Sequence, residues 1–175
     1  MRGWRVLAGI GLIGCGGGGG HPAVDSAAVG IRSRTIYDEP SAVIDSARGR
    51  ILGITLGISA DSVKRVLGAP IREGNDLLDS VPVVTLEYPM GTIRVRGTQG
   101  VVDFLCGGDG CFSADSVGIG DTMSVILQSY GPTPPRGMPE DPEALDYSLG
   151  SSPCNLTFSL LGGRVTSLEL GCLVR

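Results

Sequence analysis

The stretch ITLGISADSVKRVLGAP, residues 54–70, has a near-copy in VGIGDTMSVILQSYGPT, residues 117–133. Ile54, Leu56 and Gly57 fall on Val117, Ile119 and Gly120 at an offset of 63 residues. Ser59 falls on Thr122, and a hydroxyl there would accept a hydrogen bond from a free backbone N–H at a helix start. Ala60, Val63 and Leu67 fall on Met123, Ile126 and Tyr130, spaced i, i+3, i+7 like the buried stripe of a helix. Gly68 and Gly131 stand where a left-handed residue stops a helix, with Pro70 and Pro132 close behind.

The parallel continues outward. TLEYP (85–89) matches ALDYS (144–148), TIRVR (92–96) matches LTFSL (156–160), and GVVDFLC (100–106) matches GRVTSLEL (163–170). The last two pairs alternate as half-buried strands do, and Gly-containing turns precede the third. The expected fold is therefore α+β: a tandem repeat of a helix-plus-three-strand unit with antiparallel sheet. Its first unit covers 51–106, a connector 107–116, and its second unit 117–175. Tyr130, Phe158 and Phe104 fall on expected core positions.

The N-terminus reads as an address. Arg2 and Arg5 precede a short apolar run, Val6 to Ile13, and Leu12-Ile13-Gly14-Cys15 has the form of a bacterial lipobox. The expectation is a lipoprotein signal peptide at 1–14, cleaved to leave a lipidated Cys15. Several acyl chains on one residue anchor a protein stably, where one does so only marginally. Gly16 to Gly20 form a flexible tether, and the Gly-, Ser- and Ala-rich residues 15–50 read as linker, with a short helix at Ser41–Ala47. A residue other than Asp after the cysteine, here Gly16, resembles an outer-membrane sorting signal.

Composition narrows the function. The chain has 14 basic and 18 acidic residues; without Arg2 and Arg5 the balance is 12 against 18, a net charge near −6. Lys64 is the only lysine and the arginines are scattered, which argues against a nucleic-acid partner. Mean hydropathy is +0.22, yet no second apolar run approaches the ~20 residues of a membrane helix. Cys106, Cys111, Cys154 and Cys172 read as two disulfides of an exported chain, with three possible pairings. Local geometry favours 106–111, across GGDG, and 154–172, across a hairpin turning at Gly162-Gly163. Zinc is disfavoured because the spacing is wrong and the single histidine, His21, lies in the tether.

The motif Leu56, Gly57, Ser59, Val63, Leu67, Gly68, Pro70, then Leu86 to Tyr88, resembles the SmpA/OmlA lipoproteins of the β-barrel assembly machinery. With its looser second copy (Gly120, Thr122, Ile126, Tyr130, Gly131, Leu145 to Tyr147), it also resembles the β-lactamase inhibitor protein family, built from two related α/β units. The resemblance covers roughly 51–172 and implies a binding module. It departs from both families: the assembly lipoproteins carry one copy, and the inhibitors bind through aromatics that are few here. Trp4, the single tryptophan, lies in the signal.

Catalytic patterns are weak. The folded region holds no histidine, no G-x-S-x-G elbow and no phosphate loop, so neither enzymatic activity nor a cofactor or metal is expected. Asp103, Asp109 and Asp115 read as solvated turn residues, because their spacing is unlike a calcium loop. Asn155-Leu-Thr157 fits a glycosylation sequon by accident, and the proline-rich 131–144 reads as an exposed stiff loop. The expected function is a lipid-anchored cell-envelope lipoprotein that binds or scaffolds an envelope protein, in outer-membrane assembly or maintenance. The alternative is an inhibitor or sequestering module for an exported hydrolase. A flat aliphatic sheet face would favour the scaffold, an aromatic one the inhibitor, and a polar cleft with converging carboxylates an enzyme.

Overall fold

A computed structural model describes residues 40–172 except 79 and 139. The signal peptide, Cys15, the glycine tether and most of the linker lie outside the described residues. Both helices form where the matched stretches place them. Helix α1 spans Ala60–Leu67, and the Ser59 hydroxyl accepts from the N–H of Ser62 at 3.3 Å. Helix α2 spans Met123–Tyr130 after Thr122, whose hydroxyl does not make the expected cap to a backbone N–H and meets the Ser124 hydroxyl at 2.7 Å instead. Gly68 (φ 83°) and Gly131 (φ 88°) end them.

The expected unit of one helix and three strands is not what the chain builds. Nine strands form one mixed sheet: β1 Ala42–Ile44, β2 Arg72–Leu78, β3 Val81–Tyr88, β4 Gly91–Arg96, β5 Gly100–Cys106, β6 Pro135–Met138, β7 Asp141–Leu149, β8 Cys154–Leu161 and β9 Arg164–Cys172. Their order is β1-β7-β8-β9-β5-β4-β3-β2, and β6 also pairs with β7. Each helix leads four strands rather than three, and β1, parallel to β7, makes the sheet mixed. The additional strands had no readable pattern. In β2, REGNDLL, residues Arg72 to Leu77 are exposed, so neither face selects apolar side chains. The short β6 lies in the proline-rich stretch expected to be loop, and β1 lies in the expected linker. The helix expected at Ser41–Ala47 is replaced by β1 and a 3-10 turn at Ser46–Arg48.

The two four-strand halves meet through their last strands, β5 and β9, which pair antiparallel with Phe104 opposite Leu170. Each half ties its helix to the sheet in the same two ways. Gly57 N–H donates to Val101 O and Val101 N–H to Ile58 O, both at 2.8 Å. Gly120 N–H and Val165 O, then Val165 N–H and Asp121 O, repeat the pattern at 2.9 Å. The Tyr88 hydroxyl donates to Gly68 O at 3.2 Å, and the Tyr147 hydroxyl to Gly131 O at 2.8 Å. A tyrosine in each half therefore satisfies a carbonyl at the helix end that the helix leaves open.

The core lies between the helices and one sheet face. Val63, Ile126 and Tyr130 pack with Leu86, Ile93, Phe104, Leu156, Phe158 and Leu170, all from strand positions of one parity. Tyr130 stacks near Tyr147 and Phe158 with ring centroids 5.3 Å from each. Arg48 lies 4.5 Å over the Tyr130 ring, pairs with Asp115 at 3.0 Å and donates to Ser129 O. Cys106 is joined to Cys111 and Cys154 to Cys172. Among the described residues no helix is long and apolar enough to cross a membrane.

Candidate functional site on the open sheet face

Strand alternation sends every second side chain away from the helices; on β4, β5, β7 and β9 several of these are charged, and on β8 they are polar. The side chains line a depression of about 410 Å³ that Leu78 from β2 and Ser41 beside β1 also reach, so the sheet curls around it. One cross-strand row carries Glu169, Thr157 and Asp146; the next carries Arg94, Asp103, Gly171 and Asn155.

Most of these charges are committed to one another. Arg94 Nη1 donates to Asp103 Oδ2 at 2.7 Å, and the Asp103 side chain is only 14% exposed. Thr157 Oγ1 donates to Asp146 Oδ1 at 2.6 Å, and Arg136 approaches the other Asp146 oxygen at 3.8 Å. Glu169 has no ion-pair partner among the described residues. Gly171 leaves room for two carboxylates. A Cβ there would stand 3.3 Å from Asp103 Oδ1 and 3.7 Å from Glu169 Oε1.

The surroundings raise both carboxyl pKa values. For Asp103, burial pushes up more strongly than the Arg94 guanidinium pulls down. For Glu169, burial raises the value first and the Asp103 charge adds to it, while Arg136 and Arg94 oppose. Glu169 stays exposed to water, with the Asp103 carboxylate on its protein side. The face therefore presents two neutralised ion pairs around one unpaired carboxylate. It can recognise a polar or charged surface through hydrogen bonds in a recess.

Of the residues noted in the sequence, Asp103 and Asn155 sit on this face, Cys172 borders it as a cystine, and Cys154 is its partner. Asp109 and Asp115 do not join Asp103. Asp115 pairs with Arg48, and no group of three metal-ligating side chains forms among the described residues. Cys106 and Cys111 close the loop between β5 and α2. Arg94, Arg136, Asp146 and Glu169 were not singled out in the sequence, and Thr157 only as part of a sequon. Their available signal was charge at the outward positions of alternating strands, as in TIRVR and LEL, where threonine or serine would suffice for solvation.

No protein-family model, curated protein or solved structure matches this chain.

Proposed function

We propose that this is a non-enzymatic, lipid-anchored cell-envelope protein that holds a protein partner in the concave face of its sheet. The observation that carries this reading is the ion pairing on that face. Asp103 is bonded to Arg94, and Asp146 to Thr157 with Arg136 beside it, which suits a preorganised recognition surface better than a reacting centre. Cys15 supplies the anchor through its lipobox, and two disulfides suit an oxidising compartment outside the cytoplasm. The resemblance to barrel-assembly lipoproteins points to outer-membrane assembly or maintenance as the process served.

One observation favours a second reading. The face is neither flat and aliphatic nor aromatic, and the raised Asp103 and Glu169 carboxyls are the kind of pair an enzyme uses as acid and base. The short Arg94 bond counts against it, because it occupies one Asp103 oxygen and favours the charged form.

The test places a photoreactive residue at Asn155, on the concave face, or at Gln128, exposed on α2, of the tagged full chain in its native membranes. The expected result is one envelope-protein adduct from position 155 and none from 128, lost with Cys15→Ser. A soluble exported hydrolase captured with and without the anchor would replace this reading with the inhibitor. Absence of any adduct at 155 would remove the concave face as the site.

A further inference from the structure

The outer edge of β2 ends the strand order on its side of the sheet, leaving seven residues, Arg72 to Leu78, with one edge unpaired among the described residues. Backbone groups on such an edge are a template for another strand. The N–H of Leu77 donates to the neighbouring Asp76 carboxylate at 2.8 Å. Ile71 and Leu77 are 72% and 65% exposed, which is high for large apolar residues flanking a charged strand.

The strand is complementary to itself in one register. Laid antiparallel about a two-fold axis at Gly74, it sets Arg72 opposite Asp76 of the second copy, Glu73 opposite Asn75, and Ile71 opposite Leu77. Opposite charges and apolar pairs placed directly across strands each favour pairing. An axis at Asn75 would set Glu73 against Leu77 and leave Asp76 facing glycine; an axis at Glu73 would set Arg72 against glycine and Ile71 against Asn75. Gly74 itself has no side chain, and a Cβ there would meet nothing within 4 Å.

We propose that β2 pairs antiparallel with β2 of a second copy about a two-fold axis at Gly74, joining two sheets into one isologous dimer. Leu78 of β2 reaches the recess and Arg72 shares a cross-strand row with Glu169, so the dimer would extend that face; sedimentation reads the pairing and adducts at Asn155 read the recess, and the two proposals fail separately.

Sedimentation equilibrium of the full chain in detergent tests it. The wild type dimerises, and Asp76→Arg, which faces Arg72 of the other copy with like charge, weakens the dimer by about tenfold or more. Arg72 also pairs with Glu87 of its own chain, so Arg72→Glu and Asp76→Arg together with Glu87→Arg keep both pairs and restore the dimer. Under mild oxidation Gly74→Cys cross-links two copies, whereas Thr98→Cys, exposed in the β4–β5 turn, does not. A monomer at all concentrations, a dimer indifferent to Asp76→Arg, or no cross-link through position 74 would overturn the proposal. If the chain's own N-terminal residues cover the edge, the protein stays monomeric, and that outcome also overturns it.

Discussion

The half led by α1 and the half led by α2 secure their helices alike and finish their outer edges differently. In both, a glycine ends the helix, a tyrosine hydroxyl holds its carbonyl, and the segment before the helix bonds to an inner strand. At the outer edge of the second half, β7 is covered along its length. Short β6, with Pro135, takes Asp141 to Leu145, and β1 takes Tyr147 to Leu149. Prolines and very short strands are the ordinary means of closing an edge. The first half ends on β2, which has neither. What differs is therefore the boundary each half presents, and the open one is the one suited to association.

The largest contrast should come from the disulfides. Replacing Cys154 and Cys172 together by alanine removes a closure of 18 residues and should cost about 3 kcal/mol on the loop-entropy relation. The Cys106–Cys111 closure, of 5 residues, should be worth about 2 kcal/mol. Urea denaturation of the two double variants measures the difference. Equal losses would mean that local packing, not closure length, sets the value.

Next comes a pair of turn glycines. Gly100 has φ 74°, and a Cβ there would collide with the Gly57 carbonyl, where the pre-helix segment crosses β5. Gly163 has φ 72° at the corresponding turn before β9, with nothing within 4 Å. Gly100→Ala should cost about 2 to 3 kcal/mol through strain and collision together, and Gly163→Ala about 1 kcal/mol through strain alone. Thermal unfolding that ranks them in the other order would break the equivalence of the two inner turns.

The smallest effect belongs to the tyrosines. Tyr147→Phe and Tyr88→Phe should each cost about 1 kcal/mol, the former more because its bond is shorter and its ring fully buried. They also set the alkaline limit. Burial pushes the Tyr147 and Tyr130 hydroxyls up to about 12 and raises Tyr88 as well. Between the unfolded value of about 10 and the folded value, the unfolded chain has released protons that the folded chain retains. Stability therefore falls as pH rises from 10 towards 12. Tyr147→Phe should make that fall shallower in denaturant titrations at successive pH values, and an unchanged slope would refute the assignment.

Much of the α and inner-strand organisation was legible because burial on one side imposes a period. Val63 and Ile126 mark helix faces, and Ile93, Phe104, Leu156 and Leu170 mark strand faces, each at the spacing its backbone geometry dictates. The preferred cysteine pairing was legible because both links are local. β2 was not, since a strand exposed on both sides carries no alternation, and β6 and β1 were masked by proline and by linker-like composition. The candidate site was legible only as isolated outward charges. Arg94 and Asp103 are nine residues apart in the chain, and Glu169 is far from both.

The sequence by itself determined where the two helices start and stop and which strand positions are buried, and it ranked first the cysteine pairing that forms. These follow from neighbours a few residues away, whose periodicity and turn chemistry act locally. Only the tertiary structure decided that β5 pairs with β9, merging two halves into one curved sheet. It also decided that Glu169 shares one recess with Asp103, Asp146, Arg94 and Arg136, and that, among the described residues, one edge is closed while the other is open. Those outcomes depend on contacts between residues distant in the chain. They are selected by the burial and hydrogen bonding of the whole sheet rather than by any single segment.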